Sequence, residues 1–134
     1  MFEVNTKILI VDDMRTIRLA IKHKLKQLGL ENITEADDGA SAWPLLLEAH
    51  GSGQPFQLVL SDWNMPSMHG NELLKKVREH PELKLTPFML LATEQEQEHV
   101  KKAVKLGVNN YVTKPFTLDT LKERLETVHA SLKK

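Results

Sequence analysis

Five short apolar runs punctuate the chain, and longer segments between them carry apolar residues at helical spacing. The runs are Lys7 to Val11, a weaker Asn32 to Ala36, Phe56 to Ser61, Phe88 to Leu91, and Tyr111 to Thr113. Continuous apolar runs of this length, without alternation, predict strands covered on both faces. A stripe of Ile17, Ala20, Ile21, Leu25 and Leu28 predicts the first helix, with Gly29 as its terminator. Ala40 to about His50 reads as the second, after an Asp37-Asp38-Gly39 turn, and tolerates Pro44 only within its first turn. Leu73, Leu74 and Val77 mark the third helix, which Gly70 precedes and His80-Pro81 ends. Val100, Ala103 and Val104 mark the fourth, stopped by Gly107. Leu118, Leu121, Leu125, Val128 and Leu132 mark the fifth. Strict alternation of strand and helix implies an α/β domain: a doubly wound parallel sheet with right-handed crossovers. Its functional crevice is expected outside the carboxyl ends of the strands.

Three of these carboxyl ends carry charge. The run Leu58-Val59-Leu60-Ser61 stops at Asp62, which the pattern delivers to the exposed lip of the sheet before the turn Trp63-Asn64-Met65-Pro66. Asp12 and Asp13 follow Ile8-Leu9-Ile10-Val11, and Lys114 follows Tyr111-Val112-Thr113. Taken singly, an aspartate after a strand is most often a solvated turn or a helix cap. On one edge of a parallel sheet, three carboxylates and one ammonium would repel one another unless a cation joined them. The chemistry indicated is an aspartate that accepts a phosphoryl group, with a divalent metal to neutralise the cluster.

Composition narrows the picture further. A chain of 134 residues holds one well-buried core and one domain. Lysine plus arginine (18) balances aspartate plus glutamate (18), so nothing suggests attraction to nucleic acid or anionic lipid. There is no cysteine, and hence no thiolate or disulfide chemistry. No run has membrane-spanning length and no signal-peptide pattern opens the chain, so a cytoplasmic, monomeric protein is expected. The six histidines lack metal-ligand spacing and read as surface residues. Trp43 reads as packing, and Trp63 as partly exposed and without chemistry. The acids among Glu94, Glu96 and Glu98 suit the positive end of a helix dipole.

With these residues placed, the sequence resembles the receiver domain of bacterial two-component response regulators, most closely the stand-alone chemotaxis type. The carriers are Val11-Asp12-Asp13, Glu35-Ala36-Asp37-Asp38-Gly39, Ser61-Asp62-Trp63-Asn64-Met65-Pro66, Gly70, and Tyr111-Val112-Thr113-Lys114-Pro115-Phe116. Each fragment is weak alone; in order and at family spacing they are specific, over about Lys7 to Leu132. The resemblance implies a flavodoxin-like five-stranded sheet of order 2-1-3-4-5 with five helices. It implies Asp62 as phosphoacceptor and Mg2+ held by Asp13, Asp62 and the backbone carbonyl of Asn64, with Asp12 acting through water. Lys114 would pair with phosphoryl oxygens, ahead of a cis Lys114–Pro115 bond. Tyr111 matches the aromatic that turns inward on activation. The implied partners are a histidine kinase and a target bound in a phosphorylation-dependent way, with a flagellar switch as a candidate. No output domain is expected, and therefore no DNA-binding role.

Two departures from the family pattern stand out. Counting from Asp62 and back from Lys114 puts Ala92 where the family carries a hydroxyl residue, with Thr93 next. Either Ala92 leaves that place without a hydroxyl, the reading preferred here, or the strand end slips so that Thr93 serves. Glu96, Gln97, Glu98 and His99 replace a more basic run, which disfavours partners that read the surface by charge. One alternative function is a weakly switching receiver acting as a phosphate sink or adaptor. Another is a haloacid-dehalogenase-like aspartyl-phosphate phosphatase; that enzyme needs a second acid two residues after the nucleophile, where this chain has Asn64.

Overall fold

The computed structural model describes residues 2–63, 65 and 68–132, with the backbone alone for Glu94. Five parallel strands form one sheet: β1 (Ile8–Val11), β2 (Ile33–Ala36), β3 (Leu58–Asp62), β4 (Phe88–Thr93) and β5 (Asn110–Lys114), in the order β2-β1-β3-β4-β5. Helices α1 (Arg15–Gln27), α2 (Gly39–Gly51), α3 (Gly70–Glu79), α4 (Gln97–Leu106) and α5 (Leu118–Ser131) connect and follow them, with a 3-10 turn at Glu94–Glu96 ahead of α4. This is the expected doubly wound sheet.

Side chains alternate across each strand, so the sheet builds two cores. Leu9, Val11, Val59, Leu90 and Ala92 face α2, α3 and α4 with Leu46, Leu73, Val77 and Ala103. Ile8, Ile10, Leu58, Leu60, Leu91 and Val112 face α1 and α5 with Ile21, Leu25, Leu121 and Leu125. Burial on both faces is why the strands read as unbroken apolar runs. Gly29 and Gly107 take φ of +86° and +95° and end α1 and α4 as expected.

Several details differ from the sequence reading. Strand β3 continues through Asp62 and β4 continues through Thr93. The reason is that polar residues at a strand end still find ladder partners: Asp62 pairs with Leu91, and Thr93 with Lys114. Helix α2 begins at Gly39, capped by Asp38 accepting from the Ser41 N–H at 2.8 Å, so Pro44 stands in its second turn. The helix persists through the proline because Ala42, Leu46 and Ala49 bury a continuous face on either side of it. Ala20 is exposed, and Val104 and Leu132 expose 60% and 43% of their surface, since each stands at the solvent margin of its helix rather than over the sheet.

Candidate functional site

Parallel order brings the carboxyl ends of β1, β3 and β5 to one side of the sheet, and the chain leaves β1 in opposite directions to reach its neighbours β2 and β3. A crevice at such a reversal is the usual ligand position in doubly wound sheets. Asp12 follows β1 directly, Asp62 closes β3, and Lys114 closes β5. Asp62 is 6% exposed and Asp12 fully buried, so the lip expected to be exposed is instead recessed. Only Asp13 of the three acids faces solvent.

The hydrogen bonds fix these groups closely. Asp62 Oδ1 accepts the Trp63 N–H at 2.8 Å and the Lys114 ammonium at 3.2 Å. Asp12 Oδ1 accepts the Met14 N–H at 2.9 Å, while its Oδ2 lies 3.5 Å from Lys114 Nζ. Behind the phosphoacceptor candidate, Gly70 donates to the Trp63 carbonyl at 2.9 Å. A Cβ on Gly70 would collide with the Asp62 carbonyl oxygen, so only glycine lets α3 begin there. The Lys114–Pro115 peptide is cis.

One ammonium does not balance this much buried carboxylate. Burial pushes the Asp62 carboxyl up to about 6, Lys114 pulling it down only in part and Asp12 adding to the rise. Burial raises Asp12 as well, against the Met14 N–H and Lys114. Burial would lower Lys114, but the two carboxylates outweigh it and hold the ammonium above its ordinary value. A site whose buried carboxylates are pushed up for want of positive charge has the electrostatics of a cation site. Asp12, Asp13 and Asp62 each offer a carboxylate oxygen, all within 4.8 Å of one another, a hard-oxygen set that fits a small divalent ion. Asn64, expected to add its backbone carbonyl, lies outside the described residues.

The remaining candidates are placed as follows. Ala92 is fully buried, with Leu90, on the face covered by α2, α3 and α4. Thr93 caps the 3-10 turn, its N–H and hydroxyl both donating to Glu96 Oε1, at 2.7 and 3.0 Å. Tyr111 stands away from the acids, half-buried on β5 with the Arg124 guanidinium 5.1 Å from its ring centroid. Trp63, expected to be partly exposed, is 5% exposed and stacks on His99 with centroids 4.7 Å apart and planes 9° apart. His99 is thereby half-buried rather than a free surface residue. The reading of residues also passed over Arg18, whose Nη1 donates to the Asp12 carbonyl at 2.6 Å and whose Nε donates to Glu35 at 3.1 Å. Its spacing after Asp12, about one turn into α1, was the only local signal available.

A groove of about 590 Å3 lies at the opposite ends of the strands between Phe2, Phe56, Leu85 and His129, remote from this chemistry. Among the described residues no helix is long and apolar enough to cross a membrane.

Comparison with known proteins agrees with this geometry. The family model described as "Response regulator receiver domain" matches residues 8–126. Chemotaxis protein CheY-3 of Vibrio cholerae is 44% identical over 128 residues, covering 96% of this chain and 95% of that protein. Chemotaxis protein CheY of Pseudomonas aeruginosa is 43% identical over 122 residues, covering 91% and 94%. Among solved structures, Vibrio cholerae CheY4 superposes with a TM-score of 0.77 at 36% identity, over 92% of this chain and 98% of that one. A putative response regulator from Chloroflexus aurantiacus gives 0.83 at 27%, over 93% and 98%. These relatives are signalling proteins, and neither the phosphatase nor the sink reading is favoured beside them. A doubly wound sheet that gathers acids and a lysine at its reversal point, matched along nearly its whole length by chemotaxis regulators, belongs to the response regulator receiver family as a CheY-like domain.

Proposed function

We propose that Asp62 accepts a phosphoryl group from a histidine kinase or a small phosphodonor, and that the modified domain binds a protein target differently. The observation that carries this reading is the convergence of Asp62, Asp12 and Lys114 on one recessed edge. An ionised Asp62 oxygen attacks the donor phosphorus, and the bond from phosphorus to the donor's nitrogen or oxygen breaks, its electron pair leaving with the donor. Lys114, already 3.2 Å from Asp62 Oδ1, is placed to meet negative charge on the incoming phosphoryl oxygens. The Trp63 N–H holds the same carboxylate in a single orientation. Asp12, Asp13 and Asp62 would hold Mg2+, which supplies positive charge to both the carboxylate and the phosphoryl group. Ala92 and Thr93 close β4 beside Lys114, and Tyr111 stands near the start of β5, a path by which a response to phosphorylation would pass to the surface. Likeness to chemotaxis regulators makes a flagellar switch the first target to try.

Incubation with acetyl phosphate and Mg2+ should add one phosphoryl mass to the intact protein, and Asp62→Asn should abolish the addition. A full mass shift in Asp62→Asn would remove Asp62 from this role.

A further inference from the structure

The contacts around Asp62 close into a ring that includes α4. Trp63 donates its N–H to Asp62 Oδ1, and its indole lies parallel on the His99 imidazole. His99 Nδ1 faces Glu96 Oε2 at 3.4 Å, and Glu96 Oε1 takes both donors of Thr93. Thr93 pairs with Lys114 across β4 and β5, and Lys114 returns to Asp62. Burial pushes the Glu96 carboxyl up, yet the two Thr93 donors and His99 outweigh it and hold it below the ordinary glutamate value, as expected of a carboxylate engaged on both oxygens. Ala92 offers no polar side-chain atom, and the Thr93 hydroxyl is committed to Glu96. The side chain that reaches Asp62's neighbour from α4 is therefore His99.

We infer that His99 is a positioning residue for phosphoryl transfer, acting through its stack on Trp63 to hold the Trp63 N–H on Asp62; this rests on the proposed role of Asp62. Without the stack the indole can change rotamer, and the turn presenting the one backbone N–H that orients the attacking carboxylate among the described residues loses a packing contact. The aromatic face, rather than the imidazole nitrogen, is what acts.

The experiment measures phosphorylation by acetyl phosphate with Mg2+ in the full chain for His99→Phe, His99→Leu and His99→Ala. An aromatic contact of this kind changes rates by roughly three- to tenfold. His99→Leu and His99→Ala should lose that factor in the rate at saturating acetyl phosphate, with the half-saturating concentration unchanged. His99→Phe should stay within about twofold of the natural protein. A change confined to folding would lower the folded fraction, so rates are compared per folded molecule, with that fraction read from far-UV circular dichroism. Should His99→Ala fail to fold, the Phe and Leu pair decides by the same criterion. Wild-type rates in His99→Leu, or equal slowing in the Leu and Phe variants, overturn the inference while leaving Asp62 as acceptor. No phosphoryl uptake by the natural protein overturns the proposed function and this inference together.

Discussion

Asp62 is recessed at a strand end with one ammonium in reach, and burial raises its carboxyl from 3.8 to about 6. Between about pH 4 and 6 the folded protein keeps a proton that the unfolded chain releases. In chelator, stability through this group is greatest below the unfolded value and falls as pH rises through about 6. Asp62→Asn removes that penalty, so at pH 7 in chelator the variant should be the more stable protein, by at most on the order of 3 kcal/mol. The gap should close as pH approaches 4. Asp12 is raised too and Glu96 lowered, so the difference between the two proteins in urea melts is the quantity to follow. A variant less stable than the natural protein at pH 7, or a gap of equal size at both pH values, would contradict the burial argument.

At the scale of elements, the sequence was most legible where one kind of physics acts alone. The five strands and the helix ends at Gly29 and Gly107 follow from apolar runs and from positive φ. The acid cluster was legible because strand ends in a parallel sheet must meet. What escaped depended on neighbours distant in sequence. Trp63 is buried because α4 brings His99 over it, and Pro44 is tolerated because α2 packs on both sides of it. The end of β4 lies between these cases. The pattern placed Ala92 in the family's hydroxyl position, and what it could not reveal is that Glu96 already occupies the Thr93 hydroxyl. Exchanging the pair, Ala92→Thr with Thr93→Ala, would free a hydroxyl for a phosphoryl oxygen, an interaction with a charged group worth about 1.5–3 kcal/mol. Tyr111 is the single tyrosine, so fluorotyrosine incorporated there reports the β5 side of the switch by NMR. With Mg2+ and beryllofluoride, the exchange should move the inward-to-outward ratio of Tyr111 by roughly tenfold or more relative to the natural protein. An unchanged ratio would mean that another donor already grips the phosphoryl group.

For the whole molecule, the acids that would bind Mg2+ come from β1 and β3, and Lys114 from β5, so the site ties together three strands of a five-stranded sheet. A ligand held by the folded sheet and absent from the unfolded chain stabilises the entire domain. Mg2+ at a hundred times its dissociation constant should contribute about 2.7 kcal/mol. For a domain of this length that is a rise in Tm of roughly 10 °C. Binding requires ionised carboxylates, so protons compete with the metal as pH falls through about 6. The two media should then show different slopes between about pH 4.5 and 7. In chelator, Asp62 makes the protein less stable as pH rises; with Mg2+ the growing gain from metal binding offsets that loss, and stability through this group stays nearly level. Thermal melts across this range, with Mg2+ and with chelator, should diverge towards neutral pH and converge in acid. Asp13→Ala removes the exposed acid, whose charge is the smallest of the influences on Asp12, so it should reduce the divergence while moving the chelator curve little. Parallel curves in the natural protein would show that the cluster tolerates its charge without a cation, and would count against magnesium at this edge.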